Sequence, residues 1–411
     1  MNVMLKRSQL ATLSAAALAL ALTGGSALAQ KKYDTGATDT EIKIGHTIAY
    51  SGPASAYGVI GKAEAAYFNK INAEGGINGR KINFISYDDG YSPPKTVEQI
   101  RKLVESDEVL FTFNTLGTPP NTAIQGYLNK KGIPQLFVAT GATKWGDPEH
   151  FPWTMGYQPT YQTEGHIYAK YILQNKPDAK IAVFYQNDDY GKDYVKGLKD
   201  GLGAKAASMI VAEESYEVSE PSIDSHIVKL KSTGANVFYN VTTPKFAAQA
   251  IKKVSELQWQ PLHILNNVAA SVGATMKPAG FDNSQGIISS AYLMDPTDPQ
   301  WKDNPGMKEW VAFMDKWNPS ADKTDAGNIY AYNVVRTLVK VLQQCGDDLT
   351  RANIMKQAAN IKDFEPGTTL PGIKVNTSPT VWYPIEQEQL MRFKGDTWEL
   401  FGPILNGDVA G

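Results

Sequence analysis

Apolar positions along this chain follow two periods in turn, alternation over short runs and helical spacing over longer ones. Ile42, Ile44 and Ile48 alternate as a strand; Ile60, Ala63, Tyr67 and Ile71 follow at helical spacing, and Gly75-Gly76 stops that helix. The cycle recurs, predicting strand 81–87 and helix 94–104, strand 109–113 and helix 119–131, then strand 135–139. After Gly156 a second series predicts helix 161–175, strand 180–185, helix 192–202, strand 208–213, helix 223–232, strand 236–241, helix 244–257 and strand 262–265. Strand 286–291, helices 305–317, 328–344 and 350–361, and a hairpin around Lys394-Gly395-Asp396 complete the pattern. Strand-helix repetition of this kind builds parallel, doubly wound sheets. The fold class read from it is α/β with two such lobes, the last elements being too few for a third.

The ends and totals narrow the setting. Residues 1–29 carry Lys6 and Arg7, an apolar stretch from Leu10 to Leu22, and Ala27-Leu28-Ala29, the small-x-small form of a signal-peptidase site. The expectation is a signal peptide cleaved after Ala29 and a product exported to a bacterial periplasm. A lipid anchor needs a Cys at the cleavage site, and the one Cys is Cys345, which also excludes an internal disulfide. Cleavage takes Lys6 and Arg7 from 40 cations and nothing from 42 acids. That near-balance gives no ground for a nucleic-acid or anionic-membrane partner.

In open α/β sheets ligands sit beyond the carboxyl ends of the strands. The polar, Gly-rich segments fall there: Ser51-Gly52-Pro53 to Tyr57-Gly58, Leu116-Gly117-Thr118, Ala139-Thr140-Gly141-Ala142, Asn187 to Gly191, Asn240 to Thr243, and Leu265-Asn266-Asn267. Each alone is a turn; together they describe a clamp lined from both lobes. Thr118-Pro119-Pro120 opens a helix whose first-turn donors point outward with the dipole behind them, a natural seat for a ligand carboxylate.

Catalytic constellations are weak by comparison. The five histidines show no metal-ligand spacing, a single Cys cannot build a thiolate zinc site, and no phosphate loop or GxSxG elbow is present. Asp88-Asp89 and Asp188-Asp189 read as turn and cap residues rather than acid pairs. The expectation is a binding protein, not an enzyme, with no cofactor and no metal.

At these loops the sequence resembles the periplasmic solute-binding proteins of branched-chain amino acid ABC transporters, of the leucine-isoleucine-valine-binding type. The resemblance runs from about Glu41 to Phe401, carried by SGPASAYG at 51–58, AEGGINGRKI at 73–82, YDDGYSP at 87–93, KGIPQLFVATGAT at 131–143, AKYI at 169–172 and DDYGKDYVKGLKDGLG at 188–203. It implies a type I periplasmic binding fold: a monomer whose lobes, 40–158 with 287–383 and 159–286 with 384–408, close about a three-strand hinge. The crossings fall near Gln158, Gly286 and Pro384. The partners implied are a small-molecule carboxylate and the permease and ATPase subunits of an importer. Gly117, Thr118, Ala139 and Gly141 match positions that hold the ligand carboxylate, with Tyr57 at the cleft mouth and Tyr190 on the facing lobe. With their loop neighbours Leu116, Thr140, Ala142, Asn240, Thr242 and Asn266 they make up the expected site.

Two departures from the family stand out. Members with a first-lobe disulfide have Cys where Tyr91 and Gly117 stand here. Amino acid binders place a carboxylate after a second-lobe strand to pair with the ligand ammonium, and the matching stretch 265–271 reads LNNVAAS, without an acid. A buried ammonium lacking a partner costs several kcal/mol, roughly a thousandfold or more in affinity. The expected ligand is therefore an aromatic or hydrophobic carboxylic acid, with Trp153 and Tyr157 either walling the cleft or packing the hinge. The alternatives are a branched-chain amino acid or amide, if Asp188, Asp189 or another acid substitutes, and a periplasmic sensor acting on a partner protein.

Overall fold

The computed structural model describes residues 31–407; the expected signal peptide and its cleavage site lie outside the described residues. Two sheets organise the chain. The first has five parallel strands in the order Lys81–Asp88, Glu41–Ile48, Phe111–Phe113, Gln135–Val138 and Thr154–Gly156. The second has seven, running Thr397–Asn406, Gln387–Lys394, Ile288–Ala291, Leu262–Leu265, Val237–Val241, Ile181–Gln186 and Ile210–Tyr216. Its first two pairings are antiparallel, because the closing hairpin folds back onto the edge, and the rest are parallel. A two-stranded ladder also ties Lys32–Tyr33 to Asp348–Leu349.

Alternation along the strands assigns the faces. In the first lobe Ile42, Ile44 and Ile48 bury against Ile60, Phe68 and Leu338. The opposite face packs Ile100, Leu103, Ile124 and Leu128. The helices Pro305–Trp317 and Ala326–Cys345 belong to the first side, where Tyr67 meets Phe313 and Tyr332 at ring distances of 5.2 and 5.3 Å. On the second sheet the helices Tyr161–Asn175 and Asp189–Leu202 touch almost backbone to backbone: a Cβ at Gly197 would lie 2.6 Å from the Gln162 backbone.

The chain passes between the sheets three times. It leaves the first after Gly156, returns after Ala291, and crosses again before Gln387. The second passage corrects the expected crossing near Gly286. Ile288–Ala291 is a strand of the second sheet, parallel to Leu262–Leu265 and antiparallel to Gln387–Lys394, so residues 287–291 do not belong with the first lobe. Thr154–Gly156 is a strand that the apolar pattern does not predict; three residues behind Pro152-Trp153 are too short to display a period.

Candidate functional site

The carboxyl ends of both sheets face one another across a cavity of about 140 Å³, close to the size of a void known to hold a benzene ring. One side carries Tyr57, Tyr91, Leu116, Gly117, Thr118 and Ala139; the other carries Tyr190, Asn267, Val268, Ala270 and Ser271. Gln158, Tyr292 and Asp295 from the crossing segments close the back, together with Tyr161, Asp325 and Tyr330.

Six of the twelve expected residues line this wall: Tyr57, Leu116, Gly117, Thr118, Ala139 and Tyr190. The other six are corrected to supporting positions. Asn266 Nδ2 donates to the Tyr190 hydroxyl at 2.8 Å, that hydroxyl donates to the Thr242 carbonyl at 3.0 Å, and Thr242 N–H donates to Asn266 Oδ1 at 3.1 Å. Asn240 accepts the Thr242 hydroxyl at 2.7 Å. The buried strand ends thus hold Tyr190 in place and leave the ring to face the ligand space. Gly141 is covered by Pro159 and Tyr161 and its carbonyl accepts Tyr161 N–H at 2.7 Å; Ala142 is buried in the second core.

Thr140 acts through Thr118. Its Oγ1 accepts Trp145 Nε1–H and Ala142 N–H, both at 3.3 Å, which fills its lone pairs. The two hydroxyls share a hydrogen bond at 2.6 Å.

The helix start is a narrower anion seat than the loop pattern suggested. A parallel bridge joins Leu116 to Ala139, with Gly117 N–H donating to Ala139 O at 3.3 Å and Ala139 N–H to Thr115 O at 2.9 Å. Those two donors are spent, Pro119 and Pro120 have none, and Asn121 N–H returns to Gly117 O at 3.0 Å. Thr118 alone, with its N–H and its hydroxyl, remains to receive a carboxylate among the described residues of this turn.

The acids sit elsewhere than expected. Asp188 caps its helix, accepting Tyr190 and Gly191 N–H at 2.9 and 3.3 Å, and Asp189 pairs with Lys144 at 3.0 Å on the surface. Neither faces the cavity. Asp325 and Asp295 do. Asp325 Oδ1 accepts Gly327 N–H and the Ser271 hydroxyl, each at 3.0 Å, and burial pushes its carboxyl above the usual range. Burial raises Asp295 to about 6 against the pull of the Thr297 hydroxyl and N–H. Among the described residues no Lys, Arg or His lines the cavity. Neither aspartate carries a local sequence signal, since both come from crossing or capping segments remote from the Gly-rich loops.

A buried polar support stands behind the second wall. Glu164 accepts Asn267 N–H at 2.6 Å, the Tyr168 hydroxyl at 2.7 Å and the Tyr194 hydroxyl at 2.5 Å. Burial raises its carboxyl to about 7, and the buried Glu388 beside it is pushed up as well, by burial and by Glu164. Tyr194 stacks on Tyr161 at 4.3 Å, and Tyr161 meets Tyr190 edge-on at 5.3 Å. Tyr157 lies in the core, its hydroxyl 2.9 Å from Thr337 Oγ1, and Trp153 sits beneath Gly132; neither walls the cavity.

The family profile described as Periplasmic binding protein matches residues 41–380. The chain belongs to that family. The binding protein is 28% identical to Leu/Ile/Val-binding protein homolog 1 of Brucella abortus over 371 residues, covering 83% of this chain and 89% of the relative. Its fold superposes with a TM-score of 0.79 on a branched chain amino acid ABC transporter protein from Thermus thermophilus with bound valine, at 16% identity, covering 90% of this chain and 98% of that one. A solute-binding protein from R. palustris in complex with 4-hydroxybenzoate gives a TM-score of 0.73 at 15% identity, covering 89% and 96%. The binding protein is accordingly a periplasmic solute-binding protein of the ABC transporter type, built on the two-lobed type I fold and related to branched-chain amino acid carriers.

Proposed function

We propose that the protein is cleaved after Ala29, works as a free periplasmic receptor for an ABC importer, and takes a small carboxylate with an aromatic or short apolar body between its lobes. The observation that carries this reading is the tyrosine-lined cavity closed around the N–H and hydroxyl of Thr118. Six tyrosines offer aromatic faces and few charges, the surroundings that suit a flat or apolar ligand body. Closure about the three crossings would follow from contacts the ligand makes with both lobes at once, since equal contact in open and closed states shifts nothing.

A second reading is the same body bearing an amino group, an α-amino acid or its amide, and Asp325 and Asp295 favour it. The acid-free stretch 265–271 disfavours an ammonium only if no other acid reaches the cavity. Two carboxylates in the wall, with no cation lining it among the described residues, supply what that stretch lacks. A zwitterion would balance both ends, whereas a bare anion would face both aspartates. Structures similar to this one hold valine and 4-hydroxybenzoate, one ligand of each kind.

A thermal-shift screen of the chain from Gln30 onward, against benzoates, phenylpropenoates, short fatty acids, amino acids and amides, tests the reading. A ligand at a hundredfold over its dissociation constant adds about 2.7 kcal/mol. Stabilisation by acids of either kind supports it; stabilisation by none of them removes it.

A further inference from the structure

Tyr91 stands out among the wall residues because its position is forced. Its backbone lies in the left-handed region at φ 61°, rare for a tyrosine. The fully buried Asp89 holds it there, accepting Tyr91 N–H at 2.9 Å and the Thr96 hydroxyl at 2.8 Å. That turn lays the ring directly on Gly117, where a Cβ would come within 2.4 Å of Tyr91 Cε2. Glycine is needed at 117 twice over, for its φ of 97° and for the ring.

The far end of the ring reaches the other lobe. Gln186 Nε2 donates to the Tyr91 hydroxyl at 3.4 Å, and Gln186 is held by Asp188 Oδ2 at 2.5 Å and by the Tyr216 hydroxyl at 3.1 Å. One half-buried side chain thus forms the wall beside Thr118 and touches the opposing lobe.

We propose that Tyr91 determines ligand size: its ring limits how far the ligand body extends over the Gly117 loop, and its hydroxyl favours the closed form through Gln186. This rests on the cavity being the ligand site. Strain in the backbone is kept because the ring's placement is used.

The test compares mature wild type, Tyr91→Phe and Tyr91→Ala. Phenol serves as a thermal-shift probe of the space the ring fills, independent of the natural ligand. Calorimetry with leucine, phenylalanine and tryptophan, and with benzoate and 2-naphthoate, reads selectivity. Tyr91→Ala is expected to be stabilised more by phenol than wild type is, and to shift the dissociation-constant ratio tenfold or more toward the larger member of whichever series binds. Tyr91→Phe is expected to keep the size ranking and to bind a few-fold more weakly. An unchanged ratio in Tyr91→Ala, or an equal shift in Tyr91→Phe, overturns the assignment. If no acid binds wild type, the ligand reading has failed by itself, and equal phenol stabilisation of wild type and Tyr91→Ala then overturns the ring's role in the wall. Should Tyr91→Ala not fold, Tyr91→Leu carries the same comparisons.

Discussion

The hydroxyl of Tyr57 donates to the carbonyl of Val268 at 3.0 Å, joining two lobes across the cavity. It is one of a set: the Ser271 hydroxyl meets Asp325 Oδ1 at 3.0 Å, Ala326 N–H donates to Ser271 Oγ at 3.1 Å, and Thr143 N–H donates to Asp193 Oδ2 at 2.8 Å. Bonds that exist only when the lobes are together contribute to ligand affinity rather than to the stability of either lobe. Tyr57→Phe removes one of them while keeping the ring. Affinity is expected to fall by about 1 kcal/mol, roughly fivefold, chiefly through faster release. Stopped-flow dissociation kinetics check it; an unchanged release rate would separate Tyr57 from closure.

Thr118 is expected to be the principal carboxylate contact of the first lobe. Thr118→Val removes its hydroxyl and the hydrogen bond it shares with Thr140. Binding should weaken by about 1–3 kcal/mol. Titration calorimetry reads the change, and wild-type affinity in the variant would sink the assignment.

Asp325 separates the two ligand readings. Asparagine also caps helices well, so Asp325→Asn should retain the fold while removing the charge. An amino-bearing ligand is expected to lose tenfold or more in affinity. A simple carboxylate is expected to bind the variant as well as wild type or better, since a like charge has gone. Parallel titrations with phenylalanine and benzoate distinguish the cases.

Glu164 is expected to make stability depend on pH. Its carboxyl, ordinarily near 4.5, is raised to about 7 by burial. Its contribution to stability is therefore full below 4.5 and lost as pH rises through about 7. His46 and His263 act in the opposite direction: burial lowers both to about 3, so their contribution is lost as pH falls below 6.5. The informative quantity is the difference between wild type and Glu164→Gln in urea midpoints from pH 4.5 to 7.5. Wild type should lose ground relative to the variant as pH rises. Parallel curves would show that Glu164 does not change its protonation in this window.

Much of the architecture is written locally. The alternation at Ile42, Ile44 and Ile48, the helix opening at Thr118-Pro119-Pro120 and closing at Gly132, and the capping role of Asp188 all depend on neighbours within a turn or two, and each is legible from the chain. Local signals also located the loops at the carboxyl ends of the strands, because the polypeptide must turn there whatever its partners.

Tertiary structure decided what those loops can do. Whether Gly117 and Ala139 N–H are free depends on a bridge between two strands' ends, and that bridge spends both. Ile288–Ala291 joins the second sheet because ladders on both sides accept it, which no property of those four residues announces. Asp295, Asp325, Tyr91 and Tyr330 reach one cavity from a crossing, a helix cap, a turn and a helix. The sequence determined the elements, since propensity and capping act over a few residues; the chemistry of the wall was set by long-range packing, which alone brings remote side chains together.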